Sequence, residues 1–485
     1  MCGEGLEGAL AGSVEASSGG PSSGRRAGDE APAAAVGAPR PARTRWIAVG
    51  GGSEPEMNQV SLEEDLLGVR GALGEDGIVL FAGGPGTRSV QILDEAERGS
   101  PLRTALGELL DARGGRDARY AATRLPLQGP STREALLSAL GDALAEPGEA
   151  LLLWISGHGD HGDTPRDSAA LLWAGGSLVP MDLESAIDAV PRPRPLQMVV
   201  TTCYSGGFAE LALAAEDGPA RATPRAVCGV FATRWDEESS GCDPSPDRAS
   251  HESYAAHLIE ALRGRDRGGE DIRDRLDLDH DGRIGLLEAH AHARANALSF
   301  DLPMTTSTRL LRSLVEDDGP GVDVSLPEEE IVLRTIGERL GIAGVEDARA
   351  RLVAVTARRE ELEAAWTERQ ETSDAAWWEI RGALLSRWPV LDDAFHPDFD
   401  PTLSANAAEI ERMLEVSGPY AQWLEAQDDL AAMDQTLGAL RVEAAPFERW
   451  LEARKTMELA ARLRARGGEG WARYEEMRRC EQGIP

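Results

Sequence analysis

The chain has 485 residues, 42% of them hydrophobic, with 83 acidic against 50 basic side chains and a formal net charge of -33. That length suits two or three domains with a sizeable core. The acidity argues against a nucleic-acid or anionic-membrane partner, since both are held by clustered positive charge. No apolar run approaches the length of a membrane span, and the first residues lack the pattern of a secretory leader. The five cysteines (Cys2, Cys203, Cys228, Cys242 and Cys480) are odd in number and contain no CxxC pair. This spacing is not a disulfide framework and points to a reducing, cytoplasmic setting, with Cys242 as a structural residue.

Residues 1–43 are rich in Gly, Ala, Ser and Pro and poor in large apolar side chains, so a disordered N-terminal tail is expected. From 44 to about 312 strand and helix patterns alternate. RWIAVGGG reads as a strand into a loop. Residues 61–73 have helical spacing, with Leu62, Leu66 and Val69 on one face. GIVLFAGG (77–84) is a second strand. Residues 131–146 form a helix with Ser131 as N-cap and Glu134 completing a capping box. EALLLWISGHG (149–159) and LQMVVTT (196–202) are fully apolar strands. Residues 206–216 read as helix, AVCGVFATR (226–234) as strand and 251–264 as helix. Strands that are apolar throughout, alternating with helices, are those of a mostly parallel sheet covered on both faces. Functional groups in such sheets lie just past the carboxyl ends of the strands.

From 327 to 485 the strand pattern disappears. Val332, Ile336 and Leu340 fall at helical spacing, as do Leu352, Val355, Leu362 and Trp366, and seven of the eleven tryptophans lie here. An all-α accessory region or extended helical hairpins are expected, without a sustained heptad.

Two of the buried strands end in reactive residues. ISGHG (155–159) places His158 between glycines, and TTCYSGG (201–207) places Cys203 before a small turn. Ends of neighbouring parallel strands face one another, so a thiol and an imidazole there form a nucleophile and its acid/base partner. The helix expected after Cys203 would aim its N-terminus at the sulfur and favour the thiolate. The N–H groups of Gly159 and Cys203 are the natural oxyanion donors. His161, three residues on, competes with His158 for the role but sits further into the loop. A zinc site from His158, His161 and Cys203 lacks any supporting spacing.

Across residues 45 to 300 this pattern resembles the caspase-like cysteine peptidases, the superfamily of caspases, legumain and metacaspases, nearest to a bacterial legumain-like or caspase-family peptidase. The resemblance implies a three-layer α/β/α caspase–haemoglobinase fold, a His158–Cys203 dyad, and hydrolysis of protein or peptide substrates through an acyl-enzyme. Thr202 stands where metacaspases and legumain carry an acid, so the resemblance leaves the cleavage preference open. In the loop 231–243, Asp236, Glu237 and Glu238 would suit a basic side chain, and Arg234 an acidic one. The helical region would then regulate the peptidase or bind an activator. The alternative is a catalytically inactive scaffold on the same fold. Stretch 213–227 has the composition of a self-processing site.

Residues 277–288 read DLDHDGRIGLLE. Asp277, Asp279, Asp281, the carbonyl of Arg283 and Glu288 match the ligand positions of an EF-hand loop, with Gly282 at the sharp turn. Ca2+ is the expected ion, in a structural rather than a sensing role because no second loop is present.

Overall fold

The computed structural model describes residues 38, 41, 43–93, 101–110, 118–213, 225–242, 245, 252–315, 320–393 and 396–483. The expected tail, apart from residues 38, 41 and 43, and residues 214–224 of the 213–227 stretch lie outside the described residues.

The first part is an α/β unit. In chain order it contains β1 (Trp46–Gly50), α1 (Val60–Leu73), β2 (Gly77–Phe81), β3 (Arg88–Leu93), α2 (Pro101–Leu110), β4 (Ala118–Ala122), α3 (Arg133–Ala145) and β5 (Leu151–Ile155). There follow β6 (Gly159–Asp160), β7 (Ala169–Leu172), β8 (Gly176–Leu178), α4 (Pro180–Asp188), β9 (Leu196–Val200) and β10 (Val227–Phe231). It closes with α5 (Tyr254–Arg263), α6 (Arg273–Leu276), α7 (Leu286–Asn296), β11 (Met304–Thr305) and α8 (Thr306–Leu314). The main sheet has the order β11-β10-β9-β5-β1-β2. Strands β2, β1, β5, β9 and β10 run parallel, and only the edge strand β11 is antiparallel.

Every residue of the five parallel strands is buried. Their side chains alternate between two cores. Ala48, Val79, Trp154, Val199 and Val230 pack with α1, α5 and α7 on one face. Val49, Leu80, Ile155, Met198 and Phe231 pack with α3 and α4 on the other. This double burial is why the strands read as unbroken apolar runs.

Two local expectations fail. Thr132, not Ser131, caps α3 by accepting from the Ala135 N–H at 3.3 Å. Ser131 is instead drawn to the Ala82 carbonyl, to which its backbone N–H donates at 2.9 Å. The segment after Cys203 is not an α-helix: Ser205–Ala212 is a 3-10 run, and Tyr204 before it is left-handed with φ 58.

The C-terminal region is helical: α9 (Pro327–Leu340), α10 (Val345–Arg387), α11 (Phe399–Glu415), α12 (Gly418–Arg466) and α13 (Gly468–Gln482). At 43 and 49 residues, α10 and α12 are rods of roughly 65 and 75 Å. They pack antiparallel, with Val355 against Leu440 and Ala444, and Ser373 accepting from Gln427 at 2.8 Å. This is the extended hairpin that the apolar spacing predicts. No described helix is long and apolar enough to cross a membrane.

These helices do not stand apart from the α/β unit. Helix α9 and Ala453 of α12 pack on α7, and α13 lies on β10 and α8. The expectation of unpaired cysteines is overturned here. Cys228 of β10 and Cys480 of α13 form a disulfide across 252 positions, and Cys242 is disulfide-bonded as well. Wide spacing in sequence concealed a close approach in space, so the argument for a reducing compartment loses its premise.

Candidate active site

The central pair of strands positions the two reactive side chains. Ile155 of β5 is paired with Val200 of β9. His158 and Cys203 each lie three residues beyond that pair, so they leave neighbouring strand ends at the same height. The glycines around His158 are required by the geometry. Gly157 has φ +142, and a Cβ there would fall 2.7 Å from the Gly51 carbonyl oxygen. A Cβ on Gly159 would fall 2.1 Å from the Cys203 carbonyl oxygen, so the backbones on either side of the pair are in direct contact.

His158 is 2% exposed. Its Nε2 lies 2.8 Å from the Met57 carbonyl oxygen and 2.9 Å from Gln59 Oε1. Both are acceptors, so Nε2 carries a proton. The loop leading into α1 therefore fixes the ring and its Nε2 proton, a role that no pattern around 57–59 signals. His161 is exposed, with its ring stacked on Trp235 and edge-on to Tyr204.

Cys203 is 1% exposed and is the free cysteine among the described residues. The Ser239 N–H donates to its sulfur at 3.3 Å, and the thiol faces the Ser239 carbonyl oxygen at 3.6 Å. Burial pushes the thiol pKa up to about 12, and the Ser239 N–H only partly opposes this. The expected help from a following helix is missing, because 3-10 geometry replaces it. In this conformation the thiol is protonated at neutral pH and is not a competent nucleophile.

The cover over Cys203 is built from residues remote in sequence. Asp301 is fully buried and accepts from the Ser239 hydroxyl at 2.8 Å, the Ser240 N–H at 2.7 Å, the Ser240 hydroxyl at 2.6 Å and the Tyr254 N–H at 2.9 Å. Arg449 of α12, 2% exposed, donates to the Asp301 carbonyl at 2.8 Å, to the Ala297 carbonyl at 2.7 Å and to the Ser299 carbonyl. Helix α12 thus fastens the 297–301 segment, whose aspartate fastens the loop that caps the sulfur. The lone acid in LSFDL was the available sequence signal for Asp301; nothing marked Arg449.

Four of the residues expected to form a substrate pocket are held in ion pairs, and the fifth is buried. Thr202 is buried, and its Oγ1 makes no hydrogen bond. Arg234 is paired with Asp236 at 3.5 Å, Glu237 at 2.8 Å and Glu448 of α12 at 3.4 Å. Glu238 is paired at 2.8 Å with Arg441 of α12, whose guanidinium lies 4.0 Å from the Phe300 ring centroid.

In the acidic loop, Asp277, Asp279 and Asp281 each bring a carboxylate oxygen within 4.8 Å of the others. Asp277 also accepts from the Asp281 and Gly282 N–H groups, and Asp281 accepts from the Arg283 N–H at 2.7 Å. Glu288, expected as a ligand, is bonded to the backbone. Its Oε2 accepts from the Gly285 N–H at 2.8 Å and its Oε1 from the Leu278 N–H at 2.6 Å, so it caps α7 and holds the loop. The three aspartates fit a hard cation; Glu288, as placed, serves the backbone.

The fold and site define an α/β protein with a mostly parallel six-stranded sheet and a buried cysteine and histidine at adjacent strand ends. No protein-family model matches the chain, and no curated protein matches it significantly.

Proposed function

We propose that the chain is a cysteine endopeptidase of the caspase-like type, with Cys203 as nucleophile and His158 as acid/base, held latent by its own helical region. The observation that carries this reading is the equal three-residue offset of His158 and Cys203 from the paired Ile155 and Val200. The parallel order of the sheet and the Nε2 proton of His158 add support. In the reaction, the Cys203 sulfur adds to the scissile carbonyl. The thiol proton passes to His158 and then to the leaving amine, and water later hydrolyses the thioester. Gly159 and Cys203 N–H groups would receive the oxyanion.

Arg441 suggests the substrate class. Its guanidinium sits between an acid, Glu238, and an aromatic face, Phe300. That is a cradle for a basic side chain, and Arg441 occupies it from within the same chain. The triply paired Arg234 makes recognition of an acidic side chain the weaker choice. Activation would lift α12 and the 234–240 loop. Ca2+ held by Asp277, Asp279, Asp281 and the Arg283 carbonyl would stiffen the loop before α7.

The burial of Cys203 favours one second reading, an inactive scaffold on the same fold. Cleavage profiling of a diverse peptide library separates the two. It should compare wild type, Cys203→Ala and Arg441→Ala, each before and after limited proteolysis. A peptidase cleaves after release and Cys203→Ala does not. Absence of Cys203-dependent cleavage in every arm establishes the scaffold.

A further inference from the structure

A second constellation lies away from the cysteine, between α5 and α7. His257 and Glu260 sit one turn apart on α5, and His292 faces them from α7. One ligand atom from each lies within 4.8 Å of the others. The two imidazole centroids are 6.1 Å apart. The group opens on a cavity of about 410 Å³ that is also lined by Asp266, Asn296 and Thr335.

The contacts of His257 single this group out. His257 Nε2 lies 3.0 Å from Glu252 Oε2. A carboxylate only accepts, so Nε2 carries a proton. Its Nδ1 is buried and faces Glu260 Oε2 at 3.2 Å, outside hydrogen-bonding geometry. A ring nitrogen and a carboxylate oxygen at that distance share a cation, either a proton on Nδ1 or a metal ion that takes its place. His257 itself is 9% exposed, so water does not readily supply the compensation.

The surrounding groups are arranged as an outer shell. Glu252 orients His257, as carboxylates orient metal-bound histidines. Arg267 donates to Glu260 Oε1 at 2.7 Å and to Glu252 Oε1 at 2.8 Å, fixing both carboxylates while leaving Glu260 Oε2 directed at His257. Two imidazoles and one carboxylate form the donor set of a borderline divalent cation such as Zn2+, not of Ca2+. Tetrahedral ligands at Zn2+ stand roughly 3.3 Å apart, so small rotamer shifts complete the site.

We propose that His257, Glu260 and His292 bind one Zn2+-class cation, with its fourth position open to the cavity between α5 and α7. The ion would bolt α5 to α7. The first N–H of α5, that of Tyr254, is bonded to Asp301, so the ion would also brace the base of the Cys203 cover. The site is independent of whether Cys203 is catalytic.

The test uses the full, tag-free chain after chelation and dialysis. Equilibrium dialysis with Zn2+ should give one ion per chain that excess Ca2+ does not displace. His292→Gln and Glu260→Gln should weaken binding by at least about 100-fold, and Glu252→Gln by about 10- to 100-fold. X-ray absorption of the Zn2+-loaded wild type, which needs no variant to fold, should read nitrogen and oxygen neighbours without sulfur. A sulfur neighbour, an all-oxygen shell, no binding by wild type, or unchanged binding in folded His292→Gln each overturns the proposal. No binding by wild type would assign the contact to a protonated His257.

Discussion

Removing the Arg441 guanidinium should expose Cys203. In the closed form, at about pH 7.5, a thiol of pKa about 12 is ionised roughly 3000-fold less than an unperturbed one. Wild-type Cys203 should therefore react with iodoacetamide far more slowly than a small-molecule thiol. The Arg441–Glu238 pair is 2.8 Å long with both side chains under one-fifth exposed, and Phe300 adds a ring face at 4.0 Å. Loss of both contacts is worth about 2 kcal/mol. Arg441→Ala should then raise the open population, and with it the alkylation rate, roughly 30-fold. Glu238→Gln should shift the rate in the same direction by less. The assay is the time course of carbamidomethylation at Cys203, read by peptide mass spectrometry at fixed pH. Wild-type reactivity equal to that of a free thiol, or equal rates in wild type and a folded Arg441→Ala, would show that α12 does not shield the thiol.

Gly159→Ala should cost about 2 kcal/mol by overpacking, because its Cβ would fall 2.1 Å from the Cys203 carbonyl oxygen; the denaturant midpoint reads this, and any Cys203-dependent cleavage should vanish. Glu481 is buried, accepts from Thr306 and Ser307, and has its pKa raised from 4.5 to about 7. Its folded-state pKa lies above the unfolded one, so its contribution is full below about pH 4.5 and is lost as pH rises through 7. That amounts to about 3 kcal/mol, and Glu481→Gln should flatten this part of the stability–pH curve. Replacing both Cys228 and Cys480 by serine should lower stability by up to roughly 5 kcal/mol, since the bond closes 252 residues; an unchanged melting temperature would show that the bridge does not constrain the unfolded chain.

The strands β1, β2, β5, β9 and β10 are legible in the sequence because burial on both faces demands unbroken apolar runs. His158 and Cys203 are legible because such strands put their chemistry at their carboxyl ends, and the glycines beside them mark close backbone approach. The long hairpin of α10 and α12 follows from helical spacing. Edge strand β11, two residues long, carries too short a pattern to be seen. The segment after Cys203 has helical composition, yet its two glycines and the left-handed Tyr204 yield a 3-10 run.

The remainder depends on which surfaces meet. Periodicity records that a residue is buried, not what it is buried against. Local pattern suffices for the parallel sheet, the two strand ends that carry His158 and Cys203, and the helical character of the last third. Only the tertiary structure decided that Arg441 and Arg449 of α12 close over the cysteine, that Cys228 bonds to Cys480, and that His257 and Glu260 meet His292. Pairings such as Cys228–Cys480 and Arg441–Glu238 join positions some 200 or more apart. No local pattern encodes them, because the partners are neighbours only after the sheet and the helical hairpin have packed together.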